Sequence, residues 1–366
     1  MGRYKLTGGL IVFAALVAVP KLVFLGRVSA QGGVTANYQV YVSNEKSGDV
    51  TIINGADFKV VTTIPVGKRP RGIHSSADGS TVYVALSGTP IEAPPQLDAN
   101  GNPIFQKGND DDDNANADKS ADGIGVVDVA QRKVIRKISA GSDPEEFSLS
   151  PDGKQLYISN EDVGTASVTN IATGKVEHIV VAGREPEGVK TTPDGKEFYI
   201  TCETGGDVFV VDTTSYKTIA HLNVRPRPRS VDFLPDGSRA FVPSESVGLL
   251  NVLDTGNNKI LQSITLPPGS RPMHVMVAPD GKKVYVSTGR AGTVVAVDAM
   301  TYQVLNTIKV GTRPWGITIS PDGKYLFAAN GPSNDVSVVD LGTEKEITRV
   351  KAGESPWGVA IVPNAK

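Results

Sequence analysis

The chain has 366 residues, 39% of them hydrophobic, with 39 Gly and 24 Pro, enough for a large core broken by many turns. Its formal charge of −2 makes it a poor default nucleic-acid binder, although a local basic patch could still act. A single cysteine, Cys202, excludes an internal disulfide and a c-type haem attachment; its strand-end position predicts a buried, inert thiol.

Residues 1–30 read as a cleaved Sec-type signal peptide. Arg3 and Lys5 precede an apolar run from Leu10 to Val19, and Val28-Ser29-Ala30 offers the small residues a signal peptidase requires. The run is short for a membrane span, and Lys21 interrupts it. The expected location is therefore periplasmic or secreted, with no integral membrane segment after cleavage. Loss of Arg3, Lys5, Lys21 and Arg27 takes the charge from −2 to −6.

The remainder, 31–366, is one repeat copied along the chain. A tight turn recurs as Ala77-Asp78-Gly79, Pro151-Asp152-Gly153, Pro193-Asp194-Gly195, Pro235-Asp236-Gly237, Pro279-Asp280-Gly281 and Pro321-Asp322-Gly323, with a worn copy at Pro363-Asn364-Ala365. Steps of 42 to 44 residues separate the copies from Asp152 onward; the first step, from Asp78, is 74. Each unit holds four short β-branched runs. In the sixth they are Trp315–Ile319, Tyr325–Asn330, Val336–Asp340 and Ile347–Val350. The third run of every unit ends on Asn or Asp, at positions 54, 128, 170, 212, 254, 298 and 340. Four antiparallel strands repeated seven times predict an all-β, seven-bladed β-propeller.

The Tyr41-Val42-Ser43-Asn44 strand, the Pro-Asp-Gly turns and the Val336-Ser337-Val338-Val339-Asp340 strand resemble the YVTN β-propeller repeat family over residues 38 to 363. That family includes exported bacterial propellers, surface-layer proteins and propellers associated with quinone-dependent alcohol oxidation. Its relatives include lactonase-type propellers. The resemblance implies fold and export more than activity. The order of slots predicts closure: three N-terminal strands complete a seventh blade with one C-terminal strand, Trp357–Val362.

Strand direction puts the Pro-Asp-Gly turns on one face, the bottom, and the Gly-x-x-Pro loops on the other, the top. After each top-face Pro one residue varies: Arg71, Glu145, Glu187, Arg229, Met273, Trp315 and Trp357. Neighbouring positions add Arg69, Glu146, Glu185, Arg227, Arg271, His274 and Arg313. Acidic residues gather in blades two and three, basic ones in blades four to six, and the two indoles in six and seven. This predicts a channel-mouth site for a small anionic ligand or a protein partner, formed by Arg71, Glu145, Glu187, Arg229, His274, Trp315, Trp357, Arg271 and Arg313. The competing expectation is that each Arg pairs with a neighbouring blade's carboxylate.

The long step places an acidic insertion at about 87–122, also on the top face. Asp98, Asn100 and Asn102 offer the oxygen ligands calcium takes, but the bidentate Glu of a calcium loop is missing, so a solvated flap is expected and no cofactor is otherwise implied. The histidines His74, His178, His221 and His274 form no metal-ligand motif, although His74 and His274 both fall in first strands beside the channel. His178 and His221 fall on the outer rim and are expected to be solvated. No nucleophile elbow or phosphate loop is present.

The leading expectation is an exported, monomeric, non-catalytic scaffold that binds at its top face. A lactonase-like hydrolase using Glu145, Glu187, Arg229 and His274 is the enzymatic alternative. A single-stranded nucleic-acid binder, disfavoured by net charge, and an accessory protein of a quinone-dependent dehydrogenase are the others.

Overall fold

The computed structural model describes residues 1–2, 37–91 and 116–364. The chain divides into two units, Met1–Thr35 and Ala36–Lys366. The proposed signal segment lies almost wholly outside the described residues, as do Asp98, Asn100, Asn102 and the acid run Asp110–Asp113. Among the described residues no helix is long and apolar enough to cross a membrane.

The second unit is a ring of seven four-stranded antiparallel sheets. Blade 1 comprises Ile73–Ser75, Thr81–Leu86, Gly123–Asp128 and Lys133–Ile138. Blades 2 to 6 begin at Pro144, Pro186, Asp232, Val275 and Pro314. Blade 7 joins Pro356–Pro363 to Tyr38–Asn44, Asp49–Asn54 and Val60–Pro65, which is the predicted closure. The two ends pair antiparallel from Tyr38 with Pro363 to Asn44 with Pro356. The insertion leaves from Leu86 and returns at Gly123, both strand ends.

Local chemistry sets these boundaries. The Asp of each Pro-Asp-Gly turn accepts the N–H two residues on, as Asp152 does from Lys154 at 3.1 Å, and Gly153 takes φ 67°. Every third strand stops at an Asx cap: Asp298 Oδ1 accepts the N–H of Met300 and of Thr301, and Asn170 Oδ1 that of Thr173. The second and third strands are buried on both faces. Along Tyr38–Asn44, Val40 and Val42 pack on Phe327 and Val338 of blade 6, while Tyr41 packs on Ile73 and Val84 of blade 1. Each such aliphatic side chain contributes about 1.5–3 kcal/mol of burial, so alternation along one strand binds it to both neighbours.

The innermost strands depart from the repeat. Those of blades 1, 4 and 5 shorten to Ile73–Ser75, Asp232–Phe233 and Val275–Val277. Those of blades 2, 3 and 6 run six residues but slip register just after their Pro, for example between Pro186 and Val189. The residue before Pro is left-handed in six blades: Arg69, Asp143, Glu185, Arg227, Arg313 and Ser355 have φ between 45° and 60°. Such a conformation costs on the order of 1–3 kcal/mol in a non-glycine residue. In blades 7, 2, 3 and 4 its carbonyl is held by the N–H of a Glu that follows the second strand: Ser355 by Glu45, Asp143 by Glu161, Glu185 by Glu203 and Arg227 by Glu245. The turn therefore seats four glutamates at the channel mouth.

Candidate functional site in the central channel

Two polar layers stack along the channel. The upper one contains the residue after each Pro. Arg71 is 1% exposed and bonds Asp143 and Glu145 of the next blade, with Glu161 at 3.5 Å. Arg229 lies 2.8 Å from Glu187, 2.5 Å from Glu203 and 2.9 Å from Glu245; Arg227 also pairs with Glu203 and Glu245. Asp143, Glu145 and Glu161 bring carboxylate oxygens within 4.8 Å of one another.

Burial and crowding set the protonation of this layer. Burial, and then the charge of Glu187, push the Glu161 carboxyl up to about 8 against the pull of Arg71. Burial also drives Glu203 well above the carboxylate range, Arg229 opposing and Glu187 adding to it. Burial would raise Glu245 too, but Arg229 and Arg227 together hold it at about 2. The two indoles complete the layer: Trp315 and Trp357 lie 5.7 Å apart, with Arg313 at 5.0 Å and Arg229 at 5.7 Å over the Trp315 ring.

Arg71 and Glu145, Glu187 and Arg229, and Trp315 and Trp357 are thus brought together, and Arg313 joins the indoles. Arg271 instead donates to the Ser246 carbonyl at 3.2 Å. The four top-face residues Arg71, Glu145, Glu187 and Arg229 chiefly bind one another, as the competing expectation had it. Glu45, Asp143, Glu161, Glu203 and Glu245 were not singled out in the sequence. A Glu directly after the second strand at 45, 161, 203 and 245 is the signal that marks four of them.

Below this layer is a cavity of about 530 Å³, lined by the innermost strands and reaching Pro151 and Pro193 of the bottom turns. Alternate residues of those strands face it. Two positions after the Pro stand Gly72, Glu146, Gly188, Ser230, His274, Gly316 and Gly358; four positions after stand His74, Ser148, Lys190, Asp232, Met276, Thr318 and Ala360. Small residues leave the space, and most of the few large ones are ionisable.

His74 Nε2 lies 2.8 Å from Glu146 Oε1, whose carboxylate also accepts the Phe147 N–H. Burial would raise the Glu146 carboxyl, but His74 and these hydrogen bonds hold it below its usual range, so it is ionised. Lys190 Nζ lies 3.5 Å from Asp232. His274, in the same wall, is pushed down to about 4, mostly by burial; Glu146, Lys190, Asp232 and His74 all act on it. Its Nδ1 is buried without a hydrogen-bond partner. Thus His274 belongs to this lower layer, and Glu146 stands between it and His74, which the sequence placed in non-adjacent blades.

Two other histidines lie exposed on the outermost strands, as expected, with one ring face packed. His178 stacks on Tyr216 at 4.1 Å, and His221 stacks on Phe209 at 4.6 Å while pairing with Asp207 at 2.8 Å. These aromatics cover part of the outer strands, so both rings are packed on one side. Cys202 is buried, accepts the Gly183 N–H, and has its thiol pushed up to about 12, chiefly by burial.

Ring and channel together define a seven-bladed β-propeller. The family described as Lactonase, 7-bladed beta-propeller matches residues 183–360. Antigen Lp49 of Leptospira interrogans is 29% identical over 138 residues, covering 33% of this chain and 30% of that relative, so the match spans less than a third of the relative's length. A chain of Kuenenia stuttgartiensis hydrazine synthase superposes with a TM-score of 0.66 at 21% identity, over 86% of this chain and 94% of its own. The periplasmic gluconolactonase of Pseudomonas aeruginosa gives 0.67 at 21% identity, over 89% and 99%. Identities this low establish a common fold and leave chemistry to the site.

Proposed function

We propose that this protein is an exported propeller of the YVTN type that hydrolyses a small cyclic ester, a lactone, inside its channel. The observation that carries the reading is the His74–Glu146 pair at 2.8 Å, opening into a 530 Å³ cavity that Lys190 and His274 also line. Similarity of residues 183–360 to the lactonase propellers supports it. Export is supported by the N-terminal sequence pattern alone.

Glu146 is ionised and occupies Nε2 of His74, which leaves Nδ1 as the basic nitrogen. His74 takes a proton from water as the water oxygen bonds to the lactone carbonyl carbon. Negative charge gathers on the carbonyl oxygen, where the Lys190 ammonium stabilises it. The ring C–O bond then breaks, and the proton held by His74 passes to the leaving alkoxide, giving a hydroxy acid. His274 stays neutral at physiological pH and presents a nitrogen to the substrate's hydroxyl groups. This moves the chemistry from Glu145, Glu187 and Arg229 to the layer beneath, keeping His274.

Acid release from a panel of five- and six-membered sugar lactones, followed by pH-stat above the spontaneous rate, tests the reading. Wild type should accelerate at least one substrate, and His74→Ala should lose about 10²–10⁴-fold, the usual worth of a general base. Wild-type protein inert on the whole panel, or His74→Ala and Lys190→Met as active as wild type, would overturn it.

A further inference from the structure

The cavity beneath the mouth has two unlike sides, and the ester chemistry uses only one of them. Neighbouring innermost strands meet at seams, and what fills each seam changes around the ring. His74 meets Glu146 between blades 1 and 2, the Ser148 hydroxyl lies 2.8 Å from that of Thr191 between blades 2 and 3, and Lys190 lies 3.5 Å from Asp232 between blades 3 and 4. Between blades 4 and 5, Asp232 accepts the Val277 N–H and Ser230 that of Val275. Beyond blade 5 the seams turn apolar. Met276 packs on the cluster that holds Ile317 and Ile319 of blade 6, and Ala360 of blade 7 shares a cluster with Ile73 of blade 1. Trp357 lines this same side and packs at 5.7 Å against Trp315 of the upper layer.

Each side restricts what a substrate can carry. On the polar side two carboxylates, Glu146 and Asp232, face one ammonium, Lys190, and among the described residues no arginine lines the cavity. A phosphate or carboxylate borne by the substrate would meet more negative charge than positive in a site poorly screened by water. On the other side, Thr318 brings the only side-chain hydroxyl that blades 5 to 7 contribute to the lining. The Ser75 hydroxyl, across the seam from blade 7, already donates to the Ile361 carbonyl at 2.9 Å. A substrate hydroxyl pressed against Met276 and Ala360 would lose its water without regaining a partner. A methyl group gains from the same burial.

We propose, building on the lactone reading, that the channel takes neutral sugar lactones whose exocyclic substituent is apolar, the 6-deoxyhexonolactone class. The ring hydroxyls turn to the polar seams of blades 1 to 5, and the substituent lies on the side formed by Met276, Ala360 and Trp357. Met276 is the specificity-determining residue. It is half-buried in the wall, and its unbranched, polarisable chain adapts to an apolar group without offering it a hydrogen bond.

Paired six-membered lactones test this, because the members of each pair differ only in methyl against hydroxymethyl: those of 6-deoxy-D-gluconic and D-gluconic acids, of L-rhamnonic and L-mannonic acids, and of L-fuconic and L-galactonic acids. Wild type should favour the deoxy member by about 10- to 100-fold in kcat/KM in at least one pair and favour the hydroxymethyl member in none; 6-phosphogluconolactone should be slower still. Met276→Gln keeps the chain length and offers an amide to the hydroxyl, so it should bring the ratio near one. Ala360→Ser, a smaller change, should lower it, whereas Thr318→Val should leave it unchanged or raise it. Binding is followed separately in His74→Ala through the fluorescence of Trp315 and Trp357, the chain's only tryptophans. Tighter binding of the deoxy member there, with no lactone turned over by wild type, would support the subsite and overturn the hydrolase reading. Turnover with equal or inverted ratios, preference for the 6-phosphate, or a ratio unmoved in both Met276→Gln and Ala360→Ser would overturn the subsite and leave hydrolysis standing. Neither binding nor turnover of any pair would overturn both.

Discussion

Glu146 Oε1 lies 2.8 Å from His74 Nε2, and a Cβ on Gly72 would stand only 2.5 Å from the same oxygen. The glycine therefore holds the pair in place: it lies two residues before His74 and leaves room for the next blade's carboxylate. Gly72→Ala should push Glu146 off the imidazole. Lactone hydrolysis should fall about 100-fold, the scale of an ångström-sized misplacement. Gly316→Ala is the control, because its Cβ would meet the Trp357 carbonyl at 2.6 Å and neither His74 nor Glu146 is among its near neighbours. Both should lose about 1–3 kcal/mol by overpacking, and only Gly72→Ala should lose turnover per folded molecule. Equal turnover in the two variants would separate Gly72 from the chemistry.

Arg71 is the most enclosed cation of the upper layer. Arg71→Met keeps much of its volume, leaves Glu145 and Glu161 without their guanidinium, and leaves Asp143 with Arg69 alone, at 3.6 Å. Removing one partner of a buried ionic cluster costs about 3–5 kcal/mol, which urea denaturation would read as a lowered midpoint. Adding Glu145→Gln to Arg71→Met should recover part of that loss. Additive effects in the double variant would mean that the two side chains do not share one network.

The repeat was legible because its chemistry is local. An Asp that caps its own turn, as Asp152 does, needs no tertiary partner, and the Asx caps at 54, 128, 170, 212, 254, 298 and 340 coincide with the third-strand ends. The mouth was legible only in part. Segregation of Glu145 and Glu187 from Arg229 could be read by aligning blades, but the partners Glu161, Glu203 and Glu245 come from another loop, seated by left-handed residues that sequence does not announce. The channel pair was missed for a different reason. His74 and Glu146 occupy different slots, four and two residues after their prolines, and meet only because adjacent innermost strands are staggered at the shared wall.

Ring closure rests on the last strand. Ser43 Oγ accepts the Gly358 N–H at 2.9 Å and donates to the Arg71 carbonyl at 2.6 Å, so one hydroxyl joins the C-terminal strand, the N-terminal strand and blade 1. Truncation after Glu354 removes Trp357, exposes the Tyr38–Asn44 edge and opens the channel wall. The truncated chain should lose the single cooperative thermal transition, followed by circular dichroism. Cys202 gives a second readout: its buried thiol should resist labelling in wild type and react readily in the truncated chain. A truncated chain that melts like wild type and shields Cys202 would show that the ring closes without its last strand.

His274 should give stability a pH dependence of known sign. Its folded value is about 4, below the 6.5 of a free imidazole, because burial disfavours the cation and Lys190 and His74 add to that, while Glu146 and Asp232 oppose it. Between these values the unfolded chain binds a proton that the folded chain refuses. Stability from this group is therefore complete above pH 6.5 and is lost as pH falls toward 4. Carboxylates elsewhere titrate in part of the same window, so the informative quantity is a difference between proteins. Urea midpoints of wild type and His274→Asn, measured from pH 8 to pH 4, should run parallel above 6.5 and change their separation below it, wild type losing more. Parallel curves throughout would mean that the imidazole accepts a proton in the folded channel as easily as in water, and a neutral His274 could then no longer be assigned to the lactone site.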